Sequence, residues 1–172
     1  MFHVERTLSA LSIKGITVLM LLFFICIGCG GIKQNIQITD YILVPNGKEI
    51  MGNDGLTAFV FENNRKKLPI EQFLSEKFQT DNYSENEFWV TIDKEKYKLL
   101  VYDHAEFEKY FNSSNYAVIN LEPENSRTED IREFIAISMV NSYNEDCLAD
   151  TSLFQNIAVK YLKNLKDEYY NQ

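Results

Sequence analysis

The stretch Phe88-Trp-Val-Thr-Ile-Asp-Lys-Glu-Lys-Tyr-Lys-Leu-Leu-Val-Tyr102 decides which class of fold this sequence can adopt. Its two ends, Phe88–Ile92 and Tyr97–Tyr102, are rich in the β-branched and aromatic residues that favour strands. The polar residues Asp93-Lys94-Glu95-Lys96 between them are typical of a connection in a hairpin. The stretch therefore predicts two neighbouring antiparallel strands, and with them a sheet.

Three further segments of the chain are predicted to be strands. Ile38–Val44 is rich in Ile, Leu, Val, Thr and Tyr, and the turn-forming residues that follow Val44 begin with Pro45. Leu56–Phe61 follows a second turn signal, and Tyr116–Leu121 is closed by a proline two residues later. Together with the hairpin, these segments predict a sheet of about five strands.

Two short helices are predicted between the strands. Pro69 suits the first position of a helix, and apolar residues follow it at helical spacing as far as Phe78. Asp103 is a suitable N-cap for a second helix, which carries Phe107 and Phe111 on one side.

Two longer helices are predicted at the C-terminal end. The capping-box spacing of Ser126 and Glu129 opens the first, which runs to about Tyr143. Its stretch Phe134–Val140 is apolar nearly all round, so we expect this helix to be buried. The second starts near Asp150 or Thr151. One face of it is apolar, formed by Leu153, Phe154, Ile157, Ala158, Tyr161, Leu162 and Leu165.

The order of these elements predicts an α+β fold with a mainly antiparallel sheet covered by helices. Residues 38–172 are long enough to form one domain with a core of its own.

The N-terminal segment has a different composition. Residues 1–14 are weakly basic, and Gly15–Ile27 is an uncharged apolar run of 13 residues. A bilayer span needs about 20 residues, so this length better fits the apolar region of a secretory signal. The run ends in Cys26-Ile27-Gly28-Cys29.

Small and apolar residues directly before Cys29 resemble the lipobox of bacterial prolipoproteins. The resemblance implies that residues 1–28 are a signal peptide and that Cys29 carries acyl chains, palmitate among them. Residues 29–37 would then form the lipidated N-terminus and a tether. Gly30 is not the aspartate that retains such proteins in the inner membrane, which favours the outer membrane, facing the periplasm. An uncleaved membrane helix over Gly15–Ile32 and a soluble secreted form are the alternatives.

The charge of the chain argues against some classes of partner. After residue 28 there are 24 acidic and 15 basic residues, which gives a net charge of −9. Nucleic-acid binding depends on clustered Lys and Arg, so we expect no nucleic-acid partner. All seven glycines lie between Gly15 and Gly55, which excludes a glycine-rich phosphate loop in the later chain.

Few residues of this sequence suggest catalysis. Cys147 would be the only free thiol after processing, and a buried apolar role is favoured over a reactive one. His104 follows Asp103 directly, and adjacent helical residues do not face each other, so a surface position is favoured. With so few His and Cys ligands, no zinc or copper site and no cofactor are expected. We assign no catalytic residue.

Acidic and aromatic residues leave two further possibilities open. The pair Glu122 and Glu124 and the group Glu145, Asp146 and Asp150 are favoured as helix-flanking residues over calcium ligands. Four aromatic residues could border a binding surface: Tyr83, Trp89, Tyr169 and Tyr170. Since Trp89 follows Phe88 in a strand, these two side chains should point to opposite faces.

The sequence therefore predicts a lipid-anchored protein of the bacterial cell envelope that binds a protein partner and is not catalytic. One alternative is an immunity-type lipoprotein that neutralises a basic toxin, since a charge of −9 would complement a basic surface. Another alternative is an envelope hydrolase that uses carboxylates.

Overall fold

The computed structural model describes residues 36–50, 54–63, 67–80, 85–117 and 134–172. The predicted signal peptide, Cys29 and most of the tether lie outside the described residues. The boundary at residue 38 therefore stays a prediction.

Seven strands, three α-helices and one short 3-10 helix (Ser113–Asn115) lie in the part of the chain that the structure describes. The strands are β1 (Ile36–Gln37), β2 (Ile42–Val44), β3 (Ala58–Glu62), β4 (Glu87–Ile92), β5 (Glu95–Val101), β6 (Tyr116–Ala117) and β7 (Phe134–Asn141). The helices are α1 (Ile70–Phe78), α2 (His104–Tyr110) and α3 (Gln155–Tyr170).

Five of the strands form one antiparallel sheet in the order β2-β3-β7-β5-β4. The two short strands β1 and β6 form a separate parallel pair. The predicted α+β class, with a five-stranded antiparallel sheet covered by helices, is confirmed.

The predicted helix over Phe134–Val140 is wrong. These residues form most of β7, the central strand, and every residue from Phe134 to Asn141 is buried. A central strand that is covered on both faces has no polar side, so it shows an unbroken apolar run instead of an alternation. Among the described residues, the C-terminal part of the chain therefore contains one helix, α3, where two were predicted. The proposed capping box at Ser126 and Glu129 lies outside the described residues.

One side of the sheet, the helical face, is packed against α1 and α3. Strand residues such as Phe88, Leu99 and Ile137 belong to the same buried cluster as Leu74 of α1 and Leu162 of α3. The opposite side, the outer face, is covered in part by α2, where Phe107 and Tyr116 pack against Phe134, Ala136 and Val60.

Other predicted elements hold with changed boundaries. Of the predicted strand Ile38–Val44, only Ile42–Val44 forms a strand, β2, since β1 ends at Gln37. The strand predicted at Leu56 begins at Ala58. The described part of Tyr116–Leu121 is the two-residue strand β6. The last helix begins at Gln155, so Leu153 precedes it and is 94% exposed instead of belonging to the apolar face.

Candidate functional site

The predicted lipidation site, Cys29, lies outside the described residues. Six residues separate it from Ile36, the first residue of β1. None of the helices that the structure describes is both long and apolar enough to cross a membrane.

The β4–β5 hairpin turns through two residues. Asp93 and Lys94 have φ values of 50° and 73°, and two consecutive positive φ values are what a type I′ hairpin turn requires. Glu95 and Lys96, predicted to belong to the connection, are instead the first residues of β5. Ile92 therefore lies opposite Glu95, and Trp89 lies opposite Lys98.

This register determines which backbone groups of β4 form hydrogen bonds with β5. In a two-residue hairpin the closing pair is hydrogen-bonded, and such pairs alternate along the ladder. The bond from the Val101 N–H to the Asn86 carbonyl, at 2.8 Å, follows the same alternation. Phe88, Val90 and Ile92 therefore bond to β5, while the N–H and C=O groups of Glu87, Trp89 and Thr91 point away from it.

The side chains of these three residues lie on the outer face and are exposed. Trp89 is 56% exposed, whereas its neighbour Phe88 is 1% exposed on the helical face, as the sequence predicted. The Lys98 ammonium lies 5.1 Å from the centre of the Trp89 ring and 3.1 Å from a carboxylate oxygen of Glu87. We call Glu87, Trp89 and Thr91, with their outward backbone groups, the β4 edge.

The described part of the loop before β3 covers the middle of the outer face. Leu56 and Ile50 from this loop pack on Leu100 of β5 and Val140 of β7. Trp89, one strand further out, stays exposed beside this cover.

A buried polar network holds this loop in place. The Lys48 N–H donates to the Tyr102 hydroxyl at 2.9 Å. The same Tyr102 hydroxyl lies 2.9 Å from the Ser138 hydroxyl. The Ser138 hydroxyl in turn donates to the Thr57 carbonyl at 2.8 Å. Burial raises the pKa of Tyr102, which keeps the hydroxyl protonated and able to donate to Ser138. At Gly47 a Cβ atom would lie 2.4 Å from the Tyr102 oxygen, so only glycine allows this close approach.

No family model, curated protein or solved structure matches this chain. The geometry and charge of its own residues therefore carry the functional proposal.

The other aromatic residues proposed for a binding surface are placed differently from Trp89. Tyr169 is 1% exposed, and its hydroxyl donates within 2.9 Å of the Asn63 side-chain oxygen and of the Leu68 carbonyl. Tyr170 is half-buried, and its hydroxyl donates to the Glu62 carbonyl. The prediction is thus wrong for Tyr169, and Tyr83 lies outside the described residues.

Cys147 is fully buried in the core of the helical face, as the favoured interpretation predicted. Burial, with the nearby carboxylates of Asp146 and Glu145, raises the pKa of its thiol to about 12. Since the thiolate is the reactive form, this position is chemically inert while the protein is folded.

His104 is exposed at the start of α2, as predicted. The neighbouring Asp103 carboxylate accepts from the Glu106 N–H at 2.8 Å and so caps the helix. The structure therefore uses Asp103 as a capping residue.

The acidic group near β7 binds backbone donors. One oxygen of Asp146 accepts from the Thr57 N–H at 2.7 Å, and the other accepts from the Leu148 N–H at 2.8 Å. The Glu145 carboxylate accepts from the Asn141 side-chain amide at 2.7 Å. No cluster of three or more potential metal ligands occurs among the residues of the described ranges. Glu122 and Glu124 lie outside those ranges.

A second charged cluster joins the C-terminal helix to the segment between β1 and β2. Asp40 pairs with Lys166, which is buried, and with Lys163 at 3.1 Å. The hydrogen bond from Lys166 lowers the pKa of Asp40, although burial opposes this shift in part. This cluster is a structural contact between α3 and the β1–β2 segment.

The pairing of Trp89 with Lys98 differs from the prediction, in which the hairpin has a connection of four residues. That length would place Ile92 opposite Tyr97 and Trp89 opposite Leu100. The alternation of strand residues was the available signal, since it extends back from Tyr97 to Lys96.

Proposed function

We propose that this protein is a lipid-anchored, non-catalytic binding protein of the bacterial cell envelope, and that it binds a protein partner through the β4 edge. The observation that carries the binding role is the 56% exposure of Trp89 on an edge strand. The observation that carries the anchor is the lipobox-like sequence ending at Cys29.

The anchor and the domain are close together in the sequence. Seven residue steps from Cys29 to Ile36 reach about 25 Å when fully extended. The domain is therefore held near the membrane and can act on partners there. Because one acyl chain binds a membrane reversibly, durable anchoring requires two or more chains on Cys29.

The chemistry of the β4 edge supports a binding role. Tryptophan is among the residues that contribute most to the affinity of protein interfaces, and here its ring lies beside open backbone groups. Such a surface can take up both a side chain and a backbone from a partner.

The immunity-type alternative, in which the partner is a basic toxin, is favoured by charge. The sequence after residue 28 carries a net charge of −9, and residues 85–98 around β4 carry four acidic residues and three lysines. Complementary charge accelerates association and selects against acidic partners.

A hydrolase that uses carboxylates needs an acid whose pKa is raised so that it can donate a proton. The carboxyl groups of Asp146 and Asp103 accept hydrogen bonds from backbone N–H groups, and Asp40 has a lowered pKa. These contacts favour structural roles for the three residues.

The anchor is tested by replacing the cysteine that would carry it. We expect the wild-type protein in membranes to begin at Cys29 and to carry added acyl mass, measured by mass spectrometry of the intact chain. The Cys29→Ser variant should lose both the acyl mass and the cleavage before residue 29.

Cys26→Ser is the matched control, because it removes a thiol three residues earlier in the segment predicted to be cleaved. It should yield the same lipidated product as the wild type. A Cys29→Ser protein that stays membrane-bound at the size of the wild type would refute lipid anchoring.

A further inference from the structure

We propose that the β4 edge binds an extended segment of its protein partner by strand addition, and that this segment alternates Arg or Lys with apolar residues. The inference rests on the proposed binding function and specifies the chemistry of the partner.

The first support is the direction of the backbone groups. Glu87, Trp89 and Thr91 direct their N–H and C=O groups away from β5, and β4 is the last strand of the sheet among the described residues. An extended peptide that lies along this side can form the same ladder that β5 forms on the other side.

The second support is that β4, within the part of the chain that the structure describes, lacks the features that commonly protect edge strands. Natural edge strands are kept from pairing by shortness, by Lys or Pro, or by bulges. The opposite edge, β2, follows this rule, since it has three residues and is followed by Pro45. The strand β4 has six residues, contains neither Lys nor Pro, and pairs with β5 in an unbroken register.

The third support concerns the side chains that an added strand would meet. On the outer face they are Glu87, Trp89 and Thr91. Lys98 already pairs with the Glu87 carboxylate and lies beside the indole ring, so a cationic side chain of the added strand would share the carboxylate with Lys98 and contact the exposed part of the ring. On the helical face they are Val90 and Ile92, which are apolar and continue the core. A strand that alternates cationic and apolar residues therefore matches both faces.

Charge favours another protein over a second copy of this chain as the occupant. Residues 85–98, which contain β4, carry four acidic residues and three lysines, a local net charge of −1. Two copies, each with a charge of −9 after residue 28, would bring like charges together.

The test uses the full mature protein in detergent and a ten-residue peptide in which Arg alternates with Val. A peptide of the same length in which Glu alternates with Val is the control probe. Trp89 is the only tryptophan in the chain, so its fluorescence reports binding directly. We expect the Arg/Val peptide to bind and shift the emission, and the Glu/Val peptide to bind at least about tenfold more weakly.

Two variants at one position separate strand addition from binding by side chains alone. Thr91→Pro removes an N–H that points to the open edge, a position where proline is compatible with a strand. Thr91→Ala removes the same side chain and keeps the N–H. We expect Thr91→Pro to weaken peptide binding by about tenfold or more relative to Thr91→Ala, since both variants lose the side chain and only the first loses the N–H. Near-ultraviolet circular dichroism checks that both variants are folded.

Several results would overturn the inference. They are a wild type that does not bind the Arg/Val peptide, equal binding by Thr91→Pro and Thr91→Ala, or equal binding of the two peptides. A dimer in sedimentation experiments that Thr91→Pro dissociates would identify a second copy as the occupant. Slow hydrogen exchange at the Trp89 and Thr91 amides of the free protein would show that another segment of this chain covers the edge.

The two proposals can fail separately. A lipidated Cys29 without peptide binding refutes strand addition and leaves the anchor intact. Peptide binding by a chain whose Cys29 is unmodified refutes the anchor and leaves strand addition intact.

Discussion

Two adjacent residues of β4 show how far the face of a sheet decides the role of a side chain. Phe88 is enclosed between the sheet and Phe78 of α1, with 5.8 Å between the ring centres. Trp89 lies beside Lys98, which is opposite to it on β5, and more than half of its surface is exposed to solvent. The larger of the two aromatic side chains is thus the one that contributes less to the core.

We predict that Trp89→Ala lowers the free energy of unfolding by less than about 1 kcal/mol, the contribution expected of one exposed cation–π contact. Phe88→Ala should lower it by about 3–5 kcal/mol, because it leaves a cavity in the core. Urea denaturation of both variants measures the difference, followed by circular dichroism because Trp89→Ala removes the fluorescent residue. A large loss for Trp89→Ala would mean that this ring is part of the core and is not available to a partner.

At the scale of elements, the sequence predicts those whose two sides differ. The β4–β5 hairpin, α1 and α3 each have one buried and one exposed side, so their periodicity is visible in the pattern of residues. The strand β7 has no exposed side, so its apolar run shows no alternation and wrongly predicts a buried helix. Ile135, Ile137 and Val140 are β-branched and favour a strand, a weaker signal than the capping-box spacing that precedes them.

The candidate site could be predicted only in part. That Trp89 and Phe88 point to opposite faces follows from strand alternation, but which of the two is exposed does not. The open backbone of β4 does not follow from it, because that depends on which strand lies at the end of the sheet, and strand order is set by contacts distant in the sequence. The position of Lys98 opposite Trp89 does not follow either, because a four-residue connection would pair Trp89 with Leu100.

The contact between α3 and the β1–β2 segment leads to a prediction about pH. The pKa of Asp40 is lowered from its ordinary value of 3.8, chiefly by the hydrogen bond from Lys166. A lowered pKa in the folded state stabilises the protein above pH 3.8, and this stabilisation is lost as the pH falls through the folded-state pKa. We predict that Asp40→Asn is less stable than the wild type by about 1 kcal/mol at pH 7, and that the difference disappears below the folded-state pKa.

Asp167→Asn is the control for this experiment. Its carboxylate also lies near Lys166, at 3.5 Å, but it is more exposed than Asp40. Urea denaturation across this range of pH should show a smaller change for it. A difference between Asp40→Asn and the wild type that stays constant as the pH falls below 3.8 would contradict an electrostatic origin.

At the scale of the whole molecule, the charge of −9 after residue 28 opposes the compact state. Salt screens this repulsion, with a Debye length of about 8 Å at physiological ionic strength. We therefore predict that the free energy of unfolding at pH 7 increases when sodium chloride is raised from about 0.02 M to about 0.3 M. Chemical denaturation with urea, which is uncharged, measures this change.

The same measurement near pH 4.8, the isoelectric point of the full sequence, is the control, and there the effect of salt should be small. A loss of stability with salt at pH 7 would mean that attractive ion pairs, such as Lys48 with Glu106, outweigh the repulsion.

The position of β7 in the sheet also sets the order in which the polypeptide can assemble during translation. The strands β2 and β3 are neighbours in the chain, as are β4 and β5, so each pair can form by a local loop closure. The two pairs are joined only through β7 in the five-stranded sheet, and β7 ends at Asn141. Until Asn141 has left the ribosome, the nascent chain holds two hairpins that are not joined in one sheet and have no common core. Formation of the five-stranded sheet is thus postponed until synthesis has passed Asn141, and both hairpins remain unassembled until then.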